Sequence, residues 1–197
     1  MSTIFETAKQ HWTYTQFEEL LETLMAQGRT TGNKQSEEYL AYTKLNLQRM
    51  HRWDKTFALR EEVKAKMESL ELQQWWVITE GWCGDGAQNL PAIARMADAS
   101  TGKVSLRIVL RDENPEIMDR YLTGTSRSIP VLAAFDPEGK ELFRWGPRPA
   151  TAQALMMAWR NNPAPPPFEE FEKEMHTWYT RDKGNAVQDE ILNLLQN

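Results

Sequence analysis

Residues 75–86 decide the fold, and they read Trp75-Trp76-Val77-Ile78-Thr79-Glu80-Gly81-Trp82-Cys83-Gly84-Asp85-Gly86. The first five residues form a short β-prone run, which is typical of a buried strand. A glycine-rich turn follows, and residues 87–99 then predict a helix with Pro91 inside it. The one cysteine of the chain, Cys83, therefore lies where a strand passes into a helix.

This position favours a reactive thiol. Unpaired backbone N–H groups and the helix dipole stabilise an anion at a helix N-terminus. A thiolate there is expected to have a lowered pKa and a raised reactivity. A free cysteine is more commonly a small buried hydrophobe, but the strand–turn–helix position makes the reactive interpretation of Cys83 the better one.

The region around the turn, residues 74–160, predicts an α/β domain. The expected further elements are strands at 104–110, 129–135 and 141–145, and helices at 115–122 and 150–159. A parallel βαβ unit followed by an antiparallel ββα unit gives a mixed sheet with helices on its faces.

Residues 1–73 predict a helical N-terminal extension. The apolar side chains of Phe17, Leu21 and Leu24 recur at helical spacing. Thr15 and Glu18 have the spacing of a capping box for this first helix. Ser36 is expected to cap a second helix.

A C-terminal helical arm is predicted at 168–197. It follows residues 161–167, whose four prolines indicate an extended linker. We expect the two helical extensions to pack together against the sheet. The pattern leaves open whether the arm reaches its own chain or a neighbouring one, so a homodimer is possible.

Composition excludes several functional classes. The chain has 197 residues, a net charge of −5, 41% hydrophobic and 26% charged residues, which is ordinary globular usage. A single cysteine cannot form an internal disulfide, and with three scattered histidines it predicts no metal site and no cofactor. The acidity argues against nucleic-acid binding, and no apolar run is long enough to cross a membrane. We therefore expect a cytoplasmic protein.

The ordered motifs resemble the thioredoxin family. Trp82-Cys83-Gly84 is similar to the start of the family's Trp-Cys-Gly-Pro-Cys motif, and Ile129-Pro130 is similar to its Ile–cis-Pro pair, which faces the cysteine. The other matches are Pro91, Arg127, the turn at 136–139 and Gly146. The resemblance covers about 74–160, and in particular it is to an uncharacterised bacterial branch with helical extensions. It implies a thioredoxin fold with the active-site cysteine at Cys83.

The departures from the family pattern limit the chemistry. The family's resolving cysteine corresponds here to Gly86, its intervening proline to Asp85, and its buried proton-accepting carboxylate to Val77. A dithiol cycle within one chain is therefore impossible. Attack by Cys83 on a disulfide would stop at a mixed disulfide, which a second thiol would have to resolve.

Three charged residues near the cysteine each have two interpretations. Asp85 is either a carboxylate that caps the helix or a selector and proton relay beside the sulfur, whose pKa its charge would raise. Arg127 forms either a surface salt bridge or a site for the carboxylate of a small thiol. Glu80 either tunes the site or is an ordinary loop charge.

Two functions remain open on this sequence. The first is a monothiol thiol–disulfide oxidoreductase, with Cys83 as nucleophile and a disulfide-containing protein or a low-molecular-weight thiol as partner. The second is a non-catalytic binding module that recognises an extended peptide or a partner protein. The residues predicted to shape the substrate groove are Trp82, Gly84, Asp85, Arg127, Ser128, Ile129 and Pro130.

Overall fold

A four-stranded mixed sheet surrounded by helices forms the centre of the protein. The computed structural model of the chain describes residues 3–196. The strands are β1 (Gln73–Thr79), β2 (Val104–Leu110), β3 (Val131–Phe135) and β4 (Glu141–Trp145). The helices are α1 (Tyr14–Ala26), α2 (Glu37–Thr56), α3 (Glu61–Glu68), α4 (Gly84–Ala99), α5 (Pro115–Met118), α6 (Ala150–Asn161), α7 (Phe168–Asp182) and α8 (Asn185–Leu194), after a 3-10 turn at Ile4–Thr7.

The sheet has the predicted mixed topology. Its strand order is β2-β1-β3-β4. β1 pairs in parallel with β2, Trp75 opposite Leu106, and antiparallel with β3, Trp75 opposite Ala134. The α/β architecture expected from the sequence is therefore confirmed.

β1 is buried on both faces, which explains its continuous apolar run. Because side chains alternate along a strand, Trp75 and Val77 join a core with α1 to α4 and α8, whereas Trp76 and Ile78 join a core with the N-terminal turn and α5. The turn that carries Cys83 begins at Gly81, shortly after the end of this central strand.

Three local expectations from the sequence are wrong, and one of them is the helix expected at 115–122, which ends at Met118. The capping box of α1 uses Thr13 and Gln16 rather than Thr15 and Glu18: the Gln16 N–H donates to Thr13 Oγ1 at 3.3 Å, and the Thr13 N–H donates to Gln16 Oε1 at 2.9 Å. The strand expected from residue 129 begins at Val131, after Ile129-Pro130, since proline has no N–H for a sheet ladder. The cap of α2 by Ser36 is confirmed.

The C-terminal arm packs on its own chain. Val187 and Ile191 of α8 are 1% and 0% exposed and belong to the main core. The Gln188 side chain accepts a hydrogen bond from the Arg60 N–H at 2.9 Å and so joins the arm to the start of α3. The residues between α6 and α7 turn the chain back on itself, so that Trp159 of α6 packs on Phe168 and Phe171 of α7.

Candidate functional site

Cys83 is the N-cap of α4. Its Sγ accepts a hydrogen bond from the Gly86 N–H at 3.3 Å and donates its own proton to the Ile129 carbonyl at 3.4 Å. The residue is 7% exposed. The thiol therefore joins the first turn of α4 to the loop before β3, where the Ile129–Pro130 peptide bond is cis.

Burial raises the pKa of the Cys83 thiol to about 12, and the neighbouring Asp85 charge adds to the rise. The Gly86 N–H and the Arg148 guanidinium act in the opposite direction but are weaker. The sequence-based expectation of a lowered pKa at this helix end is therefore wrong. Removing the thiolate from water costs more than the helix N-terminus returns, so Cys83 is a protonated thiol at neutral pH.

Asp85 is held by two side chains that the sequence analysis did not connect with it. Arg148 donates to Asp85 Oδ2 from Nε at 2.9 Å and from Nη2 at 2.6 Å, while the Tyr179 hydroxyl donates to Oδ1 at 2.7 Å. The Arg148 and Asp85 side chains are only 12% and 15% exposed. The Asp85 carboxylate therefore pairs with Tyr179 of α7 and with Arg148 in the loop after β4. It does not cap the N–H groups of its own helix.

The C-terminal arm also covers the start of α4 next to the cysteine. A Cβ added at Gly84 would lie 3.2 Å from His176 Cε1, so a larger residue there would press on α7. The Gln88 amide donates to His176 Nδ1 at 2.9 Å, and its oxygen accepts from Trp53 Nε1 at 2.7 Å. Burial and the nearby Arg49 lower the pKa of His176 to about 4, so its ring is neutral and Nδ1 can accept.

Arg127 forms a surface salt bridge, which is the first of the two interpretations given for it above. Its Nε and Nη2 donate to the two carboxylate oxygens of Asp119 at 2.6 and 2.8 Å, and both side chains are half exposed. Within residues 3–196 its guanidinium makes no hydrogen bond to Cys83, although both residues line the same cavity.

Glu80 is not an ordinary loop charge, because it is 2% exposed. Its Oε1 accepts from the Asp112 N–H at 2.9 Å, whereas Oε2 has no partner among the described residues. Burial raises the pKa of Glu80 to about 7. The residue ties the end of β1 to the segment after β2 and so holds the turn that carries Cys83.

Trp82 is half-buried and packs between an aromatic and a cationic side chain. Its ring centroid lies 5.0 Å from that of Tyr39, and the Arg111 guanidinium carbon lies 4.7 Å from the Trp82 centroid. On the Tyr39 ring lies the Lys34 ammonium, at 4.3 Å from the ring centroid. The N-terminal extension thus supplies a wall beside the cysteine.

A cavity of about 470 Å³ collects most of the predicted site. We call it the Cys83 groove, and its lining residues are Lys34, Glu38, Tyr39, Tyr42, Trp82, Cys83, Gly84, Asp85, Arg111, Arg127, Ser128, Ile129, Arg148, Met156, Arg160, Phe168 and Glu172. Pro130 is the one predicted groove residue outside this set. A cleft of about 1070 Å³ at the edge of β2 contains none of the predicted site residues.

The residues that sequence reasoning missed lie in the arms and after β4. Tyr39, Tyr42, Arg148, Arg160 and Phe168 have no motif that links them to the cysteine. The only sequence signal was the apolar stripe of each helix, which predicts that a helix packs but not which surface it packs on.

The thioredoxin family model matches residues 32–160, which are 129 of the 197 residues. The chain belongs to the thioredoxin family. Two solved structures share the fold. A protein of unknown function from Pseudomonas aeruginosa is 14% identical, with a TM-score of 0.61, and the match covers 100% of this chain and 98% of that one. An HIV epitope-scaffold is 15% identical, with a TM-score of 0.57 over 89% of this chain and 96% of that one. No curated protein matches the chain.

The family assignment agrees with the resemblance drawn from the motifs around Cys83. Within residues 3–196, no helix is long and apolar enough to span a membrane. In the same range, no group of three or more histidine, cysteine, aspartate or glutamate side chains is arranged to hold a metal ion.

Proposed function

We propose that this thioredoxin-family protein is a non-catalytic binding module whose Cys83 groove takes an extended peptide. The observation that carries the proposal is the burial and the raised pKa of the Cys83 thiol. The thiol is buried, donates its proton to the Ile129 carbonyl and has a pKa of about 12. A nucleophile at neutral pH needs the opposite, namely an accessible thiolate.

The missing catalytic groups support the same proposal. Gly86 stands where the family has its resolving thiol, and Val77 stands where it has a proton-accepting carboxylate. The one carboxylate next to the sulfur, Asp85, is already paired with Arg148 and Tyr179. Each retained contact of Cys83 is structural, because a side chain that caps a helix and binds a loop holds two elements together.

The residues that line the groove support peptide recognition. It lies beside Ser128 and Ile129, where the family presents a backbone edge, and it is bordered by aromatic rings of both helical extensions, including Tyr39 and Phe168. An extended peptide offers backbone groups to such an edge and side chains to such rings.

The monothiol oxidoreductase is the second candidate, because Cys83 lines the same groove. In that reaction the Cys83 thiolate would attack one sulfur of a substrate disulfide, form a mixed disulfide and release the other sulfur as a thiolate. An external thiol would then attack the mixed disulfide, regenerate Cys83 and leave in a new disulfide.

Alkylation of Cys83 as a function of pH separates the two candidates. For a binding module we expect slow alkylation of the native protein until the pH is strongly alkaline, and fast alkylation after unfolding in urea. A midpoint at or below about 8.5, the pKa of an ordinary thiol, together with reduction of a glutathione mixed disulfide, would establish the oxidoreductase instead.

The Cys83→Ser variant gives the second readout. Serine is a good N-cap and keeps both hydrogen bonds, so we expect peptide affinity and folding to be retained. Binding that requires the sulfur would contradict the proposal. A cytoplasmic location, a bacterial source, a disulfide-containing or thiol partner and a homodimer stay predictions of the sequence.

A further inference from the structure

We propose that the Cys83 groove selects an acidic extended peptide, an inference that rests on the peptide-binding function proposed above. Five of the residues that line the groove are cationic and three are anionic. The whole chain carries a net charge of −5. The lining of the groove thus carries more cations than anions, although Arg111, Arg127 and Arg148 are paired with Asp112, Asp119 and Asp85.

The positive charge that faces a ligand comes from two exposed residues without an ion pair. Arg160 at the end of α6 and Lys34 in the loop before α2 are both exposed, and neither has a salt bridge to another described residue. Lys34 instead lies over the Tyr39 ring. The buried cation, Arg148, is already matched by Asp85.

Arg111 adds a guanidinium that is fixed in place before any ligand arrives. Its Nε donates to Asp112 at 2.8 Å, its Nη1 donates to the Arg127 carbonyl at 3.4 Å, and its plane lies on Trp82. These three contacts leave Nη2 without a hydrogen-bond partner among the described residues. A guanidinium held in this way binds a carboxylate with little further loss of side-chain entropy.

Apolar rings lie between these cations. Trp82, Tyr39 and Tyr42 form one border of the groove, and Phe168, which is 48% exposed, lies at the other. Tryptophan, tyrosine and arginine are the residues that most often carry binding energy at interfaces. A chain in which acidic and apolar side chains alternate would meet cations and rings in turn.

Charge complementarity decides the occupant. A long polyanion such as a nucleic acid would also meet the acidic remainder of the protein, which opposes it at long range. A short acidic segment contacts only the groove. The groove also extends from the N-terminal extension to the C-terminal arm, further than a single small thiol needs.

Three peptide pools test the inference on the full-length protein. In each pool every second position is randomised, and the positions between carry glutamate, glutamine or lysine. Binding is followed by tryptophan fluorescence and by titration calorimetry. We expect the glutamate pool to bind most tightly, the lysine pool least, and the affinity for the glutamate pool to fall as salt is raised.

The double variant Lys34→Glu/Arg160→Glu should weaken binding of the glutamate pool by about tenfold or more, because two attractive charges become repulsive. Both residues are exposed, so circular dichroism should show an unchanged fold. The matched control is Arg120→Glu/Lys140→Glu, which makes the same charge change at exposed positions outside the groove. We expect this control to bind like the unmodified chain.

The outcomes separate this inference from the proposed function. Equal binding of the glutamate and glutamine pools, or equal loss in both double variants, would overturn the acidic preference and leave peptide binding in place. Binding of no pool would overturn both. Saturable binding of glutathione in the groove, with no pool bound, would also overturn both and favour a small thiol.

Discussion

Cys83 stands at the position of the family's cysteine, but its thiol is buried and its pKa is raised. The start of α4 does offer N–H groups to the sulfur, as the Gly86 contact shows. That favourable interaction is local, whereas burial removes the whole solvation of a thiolate. The negative charge of Asp85 raises the pKa of Cys83 further, even though Arg148 pairs with Asp85. The result is a protonated thiol that donates a hydrogen bond to the Ile129 carbonyl.

Glu80 gives a prediction on pH dependence at the same scale. Its pKa is raised from 4.5 to about 7 in the folded chain. Between these values the unfolded chain loses the proton more readily, so Glu80 makes the free energy of unfolding fall as the pH rises through this window. His176, whose pKa is lowered to about 4, acts in the opposite direction below pH 6.5. We expect Glu80→Gln to flatten that fall, as measured by urea denaturation across the window. Glu18, whose pKa is also raised to about 7, leaves a residual slope.

The control for this prediction is Glu116→Gln, at an exposed position in α5. It should keep the slope of the unmodified protein. The same slope in Glu80→Gln and in the unmodified protein would show that Glu80 ionises in the folded state as freely as in the unfolded one.

At the scale of elements, α7 is hydrogen-bonded to α4 next to Cys83. Tyr179 is 2% exposed, donates to Asp85 at 2.7 Å and accepts from the Asn89 side chain at 3.1 Å. Together with the Gln88–His176 hydrogen bond, these contacts join α7 to the first two turns of α4. The C-terminal arm therefore helps to hold Asp85 beside the cysteine.

We expect Tyr179→Phe to lower the free energy of unfolding by about 1.5–3 kcal/mol, the range for a lost hydrogen bond to a charged group. Urea denaturation measures this value. Tyr42→Phe is the control, since the Tyr42 hydroxyl makes no hydrogen bond within the part of the chain that the structure describes and the ring is half-buried. Equal losses in the two variants would mean that the hydroxyl contact with Asp85 contributes nothing.

The elements also show where sequence reasoning succeeds. The β1–turn–α4 unit, the order of strands and the cap at Ser36 follow from local signals, namely β-prone runs, glycines and a capping hydroxyl. The cap of α1 was misplaced because Thr13 and Thr15 both offer a hydroxyl three residues before a glutamine or glutamate. The pattern alone does not distinguish them, whereas the structure does: Trp12 forms a β-bridge with Ile108, and the helix begins directly after Thr13.

For the whole molecule, the helical extensions are part of one folded body. Residues of α1 to α3 and α8 share a core with β1 and α4. The C-terminal arm packs on its own chain through Val187 and Ile191. Whether two chains associate stays a prediction.

A core substitution in the last helix tests this unity. Ile191 is 0% exposed, so Ile191→Ala should lower the free energy of unfolding by about 2–5 kcal/mol through lost burial and an internal cavity. A single cooperative transition should persist in urea. Leu142→Ala, at a side chain that is 44% exposed, should change stability by less than about 1 kcal/mol. An arm that unfolds separately, with no effect on the sheet, would contradict this interpretation.

The amino-acid sequence by itself determined the family, the mixed sheet and the place of Cys83 at the start of a helix, because these depend on local propensity and on motif order. It also set the limit of one thiol per chain, since Gly86 stands at the resolving position. The tertiary structure decided the state of that thiol and the partners of Asp85. Burial and long-range pairs bring Arg148, Tyr179 and the Ile129 carbonyl from 46 to 94 residues away, and a pKa depends on those neighbours in space rather than on neighbours in sequence.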